Sequence, residues 1–424
     1  MSTLGFRGSR LLLFFASAML VAAAEWPNWR GPSADGSTTE SQFPVSWDRT
    51  NNVLWRVALP ERGNSSPIIW KNRVFMTQAA GNRRTVICID RNNGAILWQA
   101  GPIYGLPEET MQESNPYCSA SPVTDGTRVI AFFGSAGLYS FDFDGRELWH
   151  ADLGKISHPF GTASSPCLSG DLCFAYVGPG DSQYVVAVNK TTGKIAWRSD
   201  ALRPDAEEAK TISSNGPPVG SWSTPIAIKN RGHDELVMSF AFRFGAYNPQ
   251  NGELLWQRSG LGLQTYVTPL FTDGLLITMS GTVAPAVRPP AKPGIEPELV
   301  WTQNKSKFRF GSGVVTDRHL FFLSENGLAE CWEKATGKVL WQERLQGPGK
   351  KTSSWSSLSK GGNLIYAPNQ SGDVFVFAAE SKFRVLSTNT IAEPSNASLA
   401  LAHGNVLLRT DEALWCFGDK KGSG

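Results

Sequence analysis

The chain is short of charge. Asp, Glu, Lys and Arg make up 18% of its 424 residues, with 40 basic side chains against 37 acidic. Globular domains average about 25% charged, so little of this surface is built for ionic work. The near balance, with no basic run interleaved with stacking aromatics, means that nucleic acid is not an expected partner. Histidine is scarce too. His150, His158, His233, His319 and His403 are scattered without metal-ligand spacing, so loop or surface positions are expected for them. There is no Gly-x-Ser-x-Gly nucleophile elbow. Glu108-Glu109 and Glu207-Glu208 fall in long connections, where solvated charge is the simple reading. Helical periodicity is almost missing; only Pro204 to Lys210 reads as a turn or two.

Long apolar runs are absent but for one. Arg7 and Arg10 precede an apolar stretch from Leu11 to Val21, followed by Ala22-Ala23-Ala24. The stretch is shorter than the ~20 residues that span a bilayer and has the layout of a secretory signal. Export to the periplasm or beyond is expected, with the mature chain starting near Glu25 and no membrane span. No Cys follows the alanines, so no lipid anchor is expected.

Six cysteines are few for an exported chain of this length. Cys88 and Cys331 sit six residues before a turn glycine, where Ala187 and Ala246 sit in other copies, and Cys416 fits the same slot. That slot wants a small buried side chain, which free Cys supplies. Cys167 and Cys173 flank a short turn, leaving a bond across it open; Cys118 has no evident partner.

What is abundant is Gly (42) and Trp (15), and they recur together. Asn189-Lys190-Thr191-Thr192-Gly193 precedes Trp197; matching copies run Asp90 to Gly94 before Trp98, Asn248 to Gly252 before Trp256, and Glu333 to Gly337 before Trp341, with a shortened one from Asp142 to Gly145 before Trp149. Each lies between an apolar run and a short Trp-bearing strand. An Asx side chain bonds the turn's own backbone and Gly takes the positive-φ position. A second marker recurs independently: Ser66, Ser121, Ser165, Thr224, Thr268, Ser312, Ser357 and Ser398 each lead into an apolar strand. Trp-bearing strands of the first kind end at Trp55, Trp98, Trp149, Trp197, Trp256, Trp301 and Trp341, with an eighth, lacking its Trp, near Arg384-Val385-Leu386. Both markers therefore predict eight units of four strands, A to D, a repeat architecture. Seven units would require residues 281–303 to be an insertion.

The last unit stops after its third strand, near Phe417, while a spare Trp-bearing strand, Asn52 to Val57, lies at the other end. Pairing the two closes a ring and removes both sheet edges. The prediction is an all-β, eight-bladed β-propeller of four-stranded antiparallel blades, closed by the N-terminal strand. The segments are 1–24 signal, 25–51 an extension across the ring, 52–418 the propeller and 419–424 a tail; a monomer is expected. The long connections 101–117 and 200–220 both join strand D to strand A and so decorate one face. The irregular Pro285 to Pro297 joins strands C and D of blade five and projects from the other.

The repeat of apolar strand, Asx, Gly and Leu/Ile-x-Trp resembles the PQQ-like, tryptophan-docking repeat. That repeat builds the eight-bladed quinoprotein dehydrogenases and the outer-membrane assembly lipoprotein BamB. The start, Trp26 to Gly31 with Asn64-Ser65-Ser66-Pro67, is similar to secreted PQQ-like repeat proteins of planctomycete-type bacteria. For the enzymes the resemblance implies PQQ and calcium, with Glu, Asn and Asp ligands, a catalytic Asp, a stacking Trp and often adjacent cysteines. No such constellation can be matched here residue by residue, and no adjacent cysteines occur. No catalytic, cofactor or metal residue is therefore assigned. The expected role is a non-enzymatic scaffold binding a protein or peptide in the cell envelope; a quinoprotein-type dehydrogenase and a glycan-binding propeller are the alternatives. The expected binding surface is the channel mouth on the decorated face, formed by Tyr117, His158, Trp222, Tyr266, Arg309 and Trp355.

Overall fold

A computed structural model describes residues 25–106, 113–304 and 310–419; the expected signal segment, Glu108-Glu109 and Arg309 lie outside them. The first repeat forms Ile68–Trp70, Arg73–Ala80, Arg83–Asp90 and Ile96–Ala100, a four-stranded antiparallel sheet. Seven further sheets of the same order follow, giving eight blades. The eighth combines Ala400–Ala402, Asn405–Arg409 and Ala413–Phe417 with Val53–Ala58 from the other end of the chain. Trp55 pairs with Cys416 and Val57 with Leu414, so the ring is closed as expected.

The core lies between blades. Ile130, Phe132 and Leu138 of blade two pack on Cys173, Ala175 and Val186 of blade three, and each seam repeats the pattern. The tryptophans fasten those seams. Trp149 of blade two donates its indole N–H to Lys190 O in the turn of blade three, at 2.9 Å. That turn is shaped by Asn189, whose Oδ1 accepts from Thr191 N and Thr192 N. Gly193 closes it at φ 74°, with Trp149 so near that a Cβ would lie 2.8 Å from the indole. Trp55, Trp98, Trp197, Trp301 and Trp341 make the same indole-to-turn bond. Trp256 is the exception. Its N–H goes to Glu235 of its own blade, because blade five has no such turn. The Pro-rich link after Val283–Arg288 leads instead to Glu298–Asn304 and docks back on blade four, where Gly294 N donates to Leu255 O and Pro290 O accepts from Asn230.

The second marker forms a ring of its own. Each backbone N–H donates to the hydroxyl of the next blade: Ser66 to Ser121, Ser121 to Ser165, Ser165 to Thr224, then Thr268 to Ser312, Ser312 to Ser357, Ser357 to Ser398 and Ser398 back to Ser66, all at 2.9–3.0 Å. The link from Thr224 to Thr268 is not made, and Thr268 Oγ1 has no partner. That seam is held by a short parallel pair, Gly220–Ser221 with Gln264–Thr265.

The segment before the first blade touches several blades. Trp26 bridges to Ile69 of blade one, and Pro27 O accepts from Thr124 N of blade two. The buried Arg30 guanidinium donates to Leu358 O and Gly313 O. Burial lowers its pKa to about 10. Ser37–Thr38 pairs with Lys360 and Gly361 of blade seven. All six cysteines are free. In the hairpin Cys167 faces Phe174 and Cys173 faces Leu168, so the two thiols point to opposite faces and do not bond. Burial pushes Cys167 up to about 12. The short helix Ala206–Lys210 is capped by Asp205. Here Glu208 is not simply solvated: it accepts from Arg243 Nε at 2.9 Å. No helix among the described residues is long and apolar enough to cross a membrane.

Candidate functional site: an aromatic cup at the channel mouth

The hydroxyl ring fixes what surrounds the axis. The side chains two residues before each hydroxyl are Asn64, Ser119, Ala163, Trp222, Tyr266, Phe310, Trp355 and Asn396, and all eight line one cavity of about 450 Å³. Blades four to seven thus supply aromatics, while blades eight and one supply amides and blades two and three small residues. The gap left by Ser119 and Ala163 is filled from the connections by Asn115 and Phe160. Pro217, from the second long connection, also reaches the cavity.

The aromatics form a continuous arc. Ring centroids are 6.0 Å apart for Phe160 and Trp222, 5.0 Å for Trp222 and Tyr266, 4.4 Å for Tyr266 and Phe310, and 4.7 Å for Phe310 and Trp355. Contacts of this kind add about 0.5–1.5 kcal/mol each beyond simple burial, so the arc is a preformed wall. Trp29 of the N-terminal segment lines both this cavity and a smaller one of about 190 Å³ on the other side. Its ring thus stands between the two cavities, and the larger one is the cup.

The polar atoms of the cup are largely engaged already. Asn64 Nδ2 donates to Ser114 O, Asn115 Nδ2 to Phe160 O, Gln264 Nε2 to Pro218 O, Trp222 Nε1 to Gly161 O, and the Tyr266 hydroxyl to Gln264 Oε1. Burial pushes the Tyr266 phenol well up, with Glu325 adding to the effect. A second, polar cavity of about 310 Å³ shares Asn64 and Asn396 with the cup and includes Arg62, Lys351 and Asp411.

Of the six residues expected at the mouth, Trp222, Tyr266 and Trp355 line the cup. His158 is buried behind it, in a T-shaped contact with Trp222 at 5.3 Å between ring centroids, and Nε2 lies 3.3 Å from Val219 O. Tyr117 stays in the seam between blades one and two, with Arg84 4.3 Å above its ring. Arg309 lies outside the described residues. Phe310, Phe160, Asn64, Asn115, Asn396, Glu325 and Trp29 were not anticipated. Counting two residues back from every hydroxyl marker finds four of the wall positions at once; the loop and N-terminal residues carry no such signal.

The repeat family follows from this architecture and from direct comparison. The family model described as outer membrane protein assembly factor BamB matches residues 37–155, 82–270 and 296–357, more than half of the chain. The chain belongs to that family of PQQ-like repeat propellers. Among solved structures, BamB from Moraxella catarrhalis is similar at 14% identity and TM-score 0.62, over 86% of this chain and 99% of that one. A europium-containing methanol dehydrogenase is similar at 12% identity and TM-score 0.67, over 92% and 90%. Quinohemoprotein alcohol dehydrogenase from Comamonas testosteroni is similar at 10% identity and TM-score 0.65, over 94% and 81%. Identities this low establish a shared fold and nothing about chemistry. No curated protein sequence matches the chain.

The resemblance raises PQQ with calcium as an occupant of the cup, and the donor set does not fit. Calcium takes six to eight oxygen ligands, several of them carboxylates. Glu325 is the one carboxylate among the described residues of the cup. Among the described residues no group of three or more His, Cys, Asp or Glu could hold a metal ion.

Proposed function

We propose that this chain is an exported, non-catalytic interaction protein of the cell envelope, which receives a segment or small group of its partner in the aromatic cup. The supporting observation is the cup itself: a rigid, apolar recess in the face that carries the long connections, of a volume typical of binding sites. Membership of a family described as an outer membrane assembly factor favours a protein partner. Nothing in the donor set favours the quinoprotein reading.

The test is retention of envelope material by the purified protein, compared with the Trp222→Ala and Trp355→Ala variants. Trp355 is only partly buried, so its variant should melt nearly as the parent does, whereas Trp222 is buried and bonded to Gly161 O, so its variant should melt lower while keeping the fold. Loss of the retained partner with the fold intact supports the proposal. Unchanged retention with the fold intact would make the cup purely structural.

A further inference from the structure

Glu325 narrows what the cup can hold. It stands between the second and third strands of blade six, His319–Leu323 and Leu328–Glu333, and its carbonyl accepts from Ser354 N at 2.9 Å, next to Trp355. It is the one charged side chain among the described residues lining the cup. Its carboxylate has no hydrogen bond or ion pair among the described residues. A half-buried carboxylate without a partner is costly, and aromatic faces attract cations. The neutral groups agree with it. One amide N–H of Asn64 and both of Asn115 are used within the protein, whereas neither Oδ1 has a partner among the described residues, so both side chains can offer a ligand a carbonyl oxygen. Ammonium and guanidinium groups bring donors and no acceptors.

Resting on the reading of the cup as a binding site, we propose that its ligand is an organic cation. An ammonium or guanidinium group on an apolar stem sits within the arc of Trp222, Tyr266, Phe310 and Trp355, its charge toward Glu325 and its remaining donors toward Asn64 and Asn115. That chemistry has two sources: a Lys or Arg side chain of a partner peptide, or a free small amine.

The experiment is a titration of the full mature protein, read by tryptophan fluorescence and calorimetry. The probes are N-acetyl-arginine amide, N-acetyl-lysine amide, tetramethylammonium and the neutral N-acetyl-norleucine amide. The cationic probes should bind saturably and the neutral one at least about tenfold more weakly. Glu325→Gln should weaken the cations about tenfold or more and leave the neutral probe unaffected. Tight binding confined to the amino-acid amides identifies a peptide source, and equal or tighter binding of tetramethylammonium a free amine. Equal binding of the neutral probe, no saturable cation binding, or an unaffected Glu325→Gln variant would overturn the proposal. If a neutral probe binds and Trp355→Ala abolishes it, the cup remains a binding site and the cation assignment alone fails. If no probe binds and both tryptophan variants still retain envelope partners, the cup reading fails with it.

Discussion

At His158 two hydrogen bonds set a protonation state. Nδ1 accepts from Phe160 N at 3.2 Å and Nε2 faces Val219 O at 3.3 Å, so the neutral ring with its proton on Nε2 satisfies both. Burial holds its pKa below the ordinary 6.5. The unfolded chain therefore protonates first as pH falls. The stability tied to this ring is complete above about pH 6.5 and declines below it, down to the lower folded value. Melting temperature should drop from about pH 7 to pH 5, and His158→Phe should flatten part of that slope; an identical slope would contradict the assignment. Gly193 tests the seams. Alanine there would be strained at φ 74° and would meet the Trp149 indole, so denaturant unfolding should show a loss of about 1–3 kcal/mol. At this scale the sequence was readable wherever a residue repeats. Trp222, Tyr266 and Trp355 stood out as aromatics beside a hydroxyl marker, whereas Tyr117 and His158 sit four and seven residues ahead of theirs and turn elsewhere. Glu325 and Trp29 reach the cup from a turn and the N-terminal segment, where no periodicity points.

Among the elements, the hydroxyl ring ties the innermost strands of neighbouring blades, and four of its members, Ser66, Ser121, Ser165 and Ser398, also line the cup. Its members were visible in the sequence as a register marker, but their mutual bonding depends on neighbours at least 41 residues apart and is not written in local pattern. Ser312→Ala leaves the buried Thr268 N–H without its acceptor. A cost of about 1–3 kcal/mol is expected, measured by urea unfolding. Thr268→Val should be nearly neutral, because Thr268 Oγ1 has no partner to lose. A larger loss for Thr268→Val than for Ser312→Ala would contradict the bonding order. The one seam lacking this bond is also the seam where Trp256 turns inward to Glu235. Both departures track the irregular fifth blade, which the sequence flagged through its Pro-rich link without revealing that the link packs on blade four.

For the whole molecule, closure and the cup are one problem. Val53–Ala58 completes the last blade, and the residues before it carry Trp29 to the cup. Glu393 pins this arrangement. Although burial works against its charge, hydrogen bonds from Thr410, Trp415 and Arg56 hold its pKa below the usual value. Glu393→Ala leaves the buried Thr410 hydroxyl and Trp415 indole N–H without their acceptor and should cost about 1–3 kcal/mol, loosening the ring at the eighth blade, seen as faster amide exchange in Val53–Ala58 and Ala413–Phe417. Eight blades and their closure were legible because both markers count to eight and the missing strand lies at the far end. The function of the mouth was less so, since fold does not dictate it.

The most direct measurement is photo-crosslinking in the native envelope from a benzoyl-phenylalanine placed at Trp355, compared with one at Leu340 on the exposed outer strand. If the cup receives the partner, position 355 yields discrete adducts, suppressed by excess N-acetyl-arginine amide, and position 340 yields none. Adducts from the outer strand alone would contradict this, because the protein would then meet its partners by its rim and not by its cup.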